Sequence, residues 1–85
     1  MKLRRYWFEF EQLPAPSPIN LGCGVTAYNY DDAIDLLKKT VFRDSTLPTI
    51  KRVLEDVDIS KLDQGHVIPN MGLVISRGVW FPLGF

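Results

Sequence analysis

Between Leu3 and Gln12 the even positions Tyr6, Phe8 and Phe10 are apolar, while Trp7 falls on the odd row with Arg5, Glu9 and Glu11. Such alternation predicts a strand, because successive side chains leave a strand on opposite faces. Leu73–Pro82 shows a second case. Leu73, Ile75, Val79 and Phe81 form its apolar row, and Trp80 is left opposite with Ser76 and Gly78. Both indoles are therefore predicted to lie on the side of the sheet away from the main core. A shorter alternating run, Val25 and Ala27 against Thr26 and Tyr28, predicts another strand.

One helix is well specified, at about Asp31–Val41. Asn29 is placed to cap it, Asp31 and Asp32 stand in its first turn, and Lys38 and Lys39 stand in its last, each sign matching the helix dipole. Ala33, Ile34, Leu37 and Val41 make one apolar stripe, and Asp35 can pair with Lys39 one turn on. Thr49–Ile59 fits two templates. Ile50, Val53, Leu54 and Val57 match helical spacing behind Pro48, yet Glu55, Asp56 and Asp58 would crowd the negative end of a helix dipole. Val53, Val57 and Ile59 also alternate with charged residues, and the segment is read here as a strand. Ser60–Asp63 suggests a single helical turn, Pro69-Asn70-Met71-Gly72 turn chemistry, and Gly78 a bulge or a close backbone approach.

The order strand, strand, helix, strand, strand predicts an α+β domain. Its expected form is a three- to four-stranded, mostly antiparallel sheet with one principal helix packed on one face. Tyr6, Phe8, Phe10, Val25, Ala27, Leu73, Ile75, Val79 and Phe81 would meet Ile34, Leu37 and Val41. The opposite face would carry Arg5, Trp7, Thr26, Tyr28 and Trp80.

At 85 residues the chain makes one domain, residues 1–85, and its small core is hard pressed to bury two indoles on the second face. Two outcomes follow. The aromatic face is a docking surface for a protein partner or a second copy, with Trp7, Tyr28 and Trp80 as contacts and Arg5 and Arg77 as polar neighbours. Alternatively the linker containing Pro14, Pro16 and Pro18, or the tail Pro82-Leu83-Gly84-Phe85, folds across it and makes a minor core.

Ten basic and ten acidic side chains cancel, so bulk charge supplies no pull toward nucleic acid or an anionic membrane. Base stacking on the sheet aromatics, with Arg4, Arg5, Arg52 and Arg77 on phosphates, is a rival reading. Against it stand the missing RNA-binding sheet signature and the acidic cluster Glu55, Asp56 and Asp58. A thiol-dependent enzyme using Cys23 and His66 is a further rival, although a reactive thiol needs a base in reach and a lowered pKa. Asp56, Asp58, Asp63 and His66 carry ligand atoms without calcium-loop or zinc spacing, and no cofactor or metal is expected. Gly22-Cys23-Gly24 resembles part of a phosphate loop but leads into a strand. The single cysteine suits a reducing compartment, Glu9 and Glu11 break up any signal-peptide core, and no run is long enough to span a membrane, so a cytoplasmic protein is expected.

The strings LGCGVTAYNYDDAIDLL, EDVDISKLDQGHVIPNMG and RGVWFP resemble a set of small uncharacterised bacterial proteins of similar length. That resemblance implies a bacterial single-domain protein and carries no activity and no site residue. The reading that follows is a non-enzymatic interaction module.

Overall fold

A computed structural model describes residues 2–11, 21–43, 46–62, 64–65 and 67–82. Four strands and one helix follow the predicted order: β1 Arg4–Phe10, β2 Cys23–Ala27, α1 Tyr30–Lys39, β3 Ile50–Glu55 and β4 Gly78–Phe81. The strands form one open sheet in the order β3-β1-β2-β4, and every neighbouring pair is antiparallel. With α1 on one face, this is the α+β arrangement expected.

The helix forms where its caps place it. The Asn29 side chain accepts a hydrogen bond from the Asp32 N–H at 2.8 Å, satisfying one of the donors that a helix start leaves free. Asp35 pairs with Lys39 at 2.8 Å along its exposed side. Its inner face brings Ala33 and Leu37, with Ile34 and Leu36, onto Tyr6, Phe8, Val25 and Ala27. Phe42 extends this cover beyond the helix end and meets Phe10 edge-on at 5.4 Å.

Within the ambiguous segment Thr49–Ile59 only Ile50–Glu55 is a strand, with Ile59 opening a 3-10 turn, and the structure explains the helix-like spacing. A bulge opposite Glu9 and Phe10 makes Lys51 an extra residue, so Ile50 and Val53, three apart, both reach the helix-side core. Leu54 and Val57 go to the other side. Burial on two faces, with one bulge, imitates the helical template. Asp56, at φ 53, ends the strand in the left-handed region that Asp tolerates better than most residues.

The last strand is shorter than the alternation predicts. Only Gly78–Phe81 joins the sheet, and residues 74–77 bend away before it. Gly78 supplies a backbone at φ +143 where a Cβ would meet open space, so neither a bulge nor a close approach explains it. The bulge lies two residues later. Gly24 pairs with Phe81 and Val25 with Val79, which makes Trp80 the extra residue. Trp80 and Phe81 therefore turn to the same side, and Phe81 leaves the predicted helix-side row for the second core.

Candidate interaction surface

The prediction that both indoles avoid the helix holds, but the open aromatic face does not exist. Trp7 is 3% and Trp80 1% exposed, and their rings lie 6.0 Å apart, with Phe81 5.7 Å from Trp7. Gly24 sits opposite both Trp7 and Phe81 in the sheet, and Gly22 follows the same face. A Cβ on Gly24 would collide with the Trp80 ring. One on Gly22 would stand 2.6 Å from the Phe8 carbonyl oxygen and 2.7 Å from the Trp7 ring. Gly22-Cys23-Gly24 is thus the bed on which the indoles lie.

The proline linker and residues 83–85, both expected as cover, lie outside the described residues, and among the described residues a stretch between Val57 and Val74 packs over the indoles. It supplies Val57 and Val67, with Leu62, Met71 and Val74 around them. Its two ends are tied to the sheet. At the first, the Val57 N–H donates to the Arg5 carbonyl at 3.3 Å, and the Arg5 Nε donates to the Val57 carbonyl at 3.2 Å. At the second, the Gly72 N–H donates to the Trp80 carbonyl at 2.7 Å, and the Thr26 hydroxyl donates to the Val74 carbonyl. Arg5, a candidate contact, is therefore an anchor for this cover, and Trp7 and Trp80 are its cargo.

Tyr28 and Arg77, by contrast, are brought together at the surface. The Arg77 guanidinium lies 5.6 Å from the centre of the Tyr28 ring, within cation–π range, and both of its arms bind the Asp32 carboxylate, Nε donating to Oδ2 at 2.9 Å. Asp32 also accepts the Tyr28 N–H at 3.1 Å. The Arg77 hydrogen bonds, followed by that from the Tyr28 backbone, hold the Asp32 carboxyl down at about 2. An unfolded Asp titrates near ~3.9, so the native state binds this proton more weakly. The clasp's stabilisation is complete above that value and disappears as pH falls from there through about 2. Asp32→Asn is expected to unfold at lower denaturant than the parent at pH 7 and to match it near pH 2. Urea midpoints across that range check the sign.

Beside this clasp the alternation of residues 73–75 is inverted. Val74 turns inward beneath its hydrogen-bonded carbonyl, and Leu73 and Ile75 point out, 75% and 77% exposed. Both were expected in the main core. Their segment never enters the sheet, so its parity is decided by the Thr26–Val74 bond and not by β4. Nothing in the local alternation distinguishes these two faces.

The remaining chemistry is sparse. A cleft of about 280 Å³ over Trp7 is lined by Leu21, Leu54, Leu62 and Val67, with Glu9, Arg52 and Lys61 at its rim. This is small for a ligand site, and Arg52 is already paired to Glu9 at 3.0 Å. Cys23 is fully buried, and burial pushes its thiol up to about 12, which favours the neutral thiol over the thiolate at neutral pH. His66 and Asp63 lie outside the described residues. Among the described residues no three His, Cys, Asp or Glu side chains are grouped to hold a metal ion. Base stacking loses its platform with the indoles buried, and the proposed phosphate contacts are engaged elsewhere: Arg4 with Asp56, Arg52 with Glu9, Arg77 with Asp32. No helix among the described residues is long and apolar enough to cross a membrane.

Compared with family models, curated proteins and solved structures, the chain matches none.

Proposed function

We propose that the protein is a non-enzymatic, cytoplasmic protein-binding module whose contact is the arm Leu73–Arg77 together with Tyr28. The observation that carries this reading is the outward pair Leu73 and Ile75. Two large aliphatic side chains stand almost fully in water on a segment pinned from beneath by Val74 and from beside by the Arg77–Asp32 clasp. A pinned segment loses little conformational entropy when it docks, so the burial of two aliphatics is not offset by ordering cost. Tyr28 and Arg77 belong to residue types enriched among binding hot spots and sit where a rim is needed. The partner surface is an apolar groove. Two side chains fall well short of the ~800 Å² per partner of a standard interface, so the contact is a small anchor of modest affinity.

A photocrosslinking residue at position 73, compared with one at Lys61 on the far side of the cover, tests this in the cell of origin. A discrete protein adduct from position 73, lost on Ile75→Asp, is the expected result. Equal adducts from both positions, or none from position 73, would remove the proposal. Ile75→Asp should itself leave the unfolding free energy within ~0.5 kcal/mol, since that side chain packs against little.

A further inference from the structure

We infer that the protein self-associates through the outer edge of β3, two copies joining their sheets by antiparallel pairing about Val53. β3 is the end of the sheet, and among the described residues no backbone group outside the sheet bonds to its outer edge. Such an edge is a row of open donors and acceptors.

The charges on the strand say what fits there. Arg52 is spoken for by Glu9, and Arg4 by Asp56 across the strand end. Lys51 and Glu55 are both exposed, and neither side chain makes an ion pair or hydrogen bond within the described residues. Four residues apart on a strand, they stand roughly 13 Å from each other and cannot meet. An antiparallel copy of the same strand solves this. A two-fold axis perpendicular to the sheet keeps like faces together and requires residues of equal parity to pair. With the axis at Val53, Val53 faces itself, and the bulged Lys51 end of each strand comes beside the Glu55 end of the other, just past the regular register of residues 52–55. The register also places each half-buried Leu54 beside the aliphatic stem of the partner's Arg52.

The packing agrees. Val53 borders the helix-side core and Leu54 the indole core, so both cores end half-covered at this edge. A second copy continues both. The same charges repel a strand offering Lys opposite Lys51 or an acid opposite Glu55, which makes the edge selective for its own antiparallel copy. This surface lies at the opposite end of the sheet from the Leu73–Arg77 arm, and the two proposals stand independently.

Sedimentation equilibrium from about 10 μM to about 1 mM, with charge variants, is the test. Lys51→Glu replaces two attractions with two repulsions and should weaken association at least about tenfold. Adding Glu55→Lys should restore it. Both sites are exposed, so circular dichroism is expected to show each variant folded. Val53→Cys should give an oxidised covalent dimer at the axis, with Cys23 too buried to compete. A chain that stays monomeric at 1 mM overturns the inference. So does a dimer that ignores Lys51→Glu or fails to recover in the double variant.

Discussion

Trp80→Ala is expected to destabilise the protein by about 3–5 kcal/mol, the range for truncating a fully buried large aromatic. A domain of this length holds only roughly 4–13 kcal/mol in total at ordinary per-residue stability, so the variant sits near the edge of folding. The reason is geometric. The indole fills the space above Gly24 and touches Trp7 and the residues arriving from the covering segment, and no side chain at Gly24 can move in to fill the void. Its Nε1–H has no hydrogen-bond partner among the described residues, so this residue contributes through size and not through its polar end. Urea unfolding followed by circular dichroism gives the loss, and the fluorescence of the remaining Trp7 reports whether the indole core stays dry. An unfolding midpoint equal to that of the parent would mean that the ring is a surface group after all.

Gly22→Ala is the second large effect, expected at about 2–4 kcal/mol from left-handed backbone strain and overpacking together. The backbone there holds φ +128, and the new Cβ would press on the Phe8 carbonyl, part of the rigid β1 ladder, as well as on the Trp7 ring. Gly24→Ala fails for a different reason, since the three atoms nearest its new Cβ all belong to the Trp80 side chain. The two glycines can therefore be told apart by a double-variant cycle. In a Trp80→Ala background Gly24→Ala should cost little or even help, whereas Gly22→Ala beside Trp7→Ala should lose only the ring's share of its penalty and keep the part due to the backbone. Equal rescue at both positions would contradict the backbone collision at Gly22.

The candidate site was only partly legible in the chain. Tyr28 and Arg77 do come together at the surface, but their meeting depends on Asp32, which local reading spends entirely on the helix dipole. Trp7 and Trp80 were placed on the correct face with the wrong consequence, because alternation names a face and says nothing of what lies over it. The described part of the cover between Val57 and Val74 carries short 3-10 turns at Ile59–Lys61 and Ile68–Asn70, so the helical turn expected near Ser60–Asp63 was legible, but its place over the indoles is set by the Arg5, Thr26 and Gly72 hydrogen bonds, which leave no local pattern. Leu73 and Ile75 were misassigned for the same reason. A strand-like alternation persists there, but its inward direction is set by a long-range bond to Thr26.

By itself the amino-acid sequence determined the elements whose causes are local. The helix follows from the Asn29 cap, the signed ends and the apolar stripe, and β1 and β2 follow from side chains that must leave an extended backbone alternately. Only the tertiary structure decided which residues lie under cover, since that depends on contacts between segments distant along the chain. It placed the bulges at Lys51 and Trp80, where neighbouring strands fix the count of residues across a ladder. It also turned Val74 inward and left Leu73 and Ile75 in water, because a hydroxyl on β2 holds the Val74 carbonyl from across the fold.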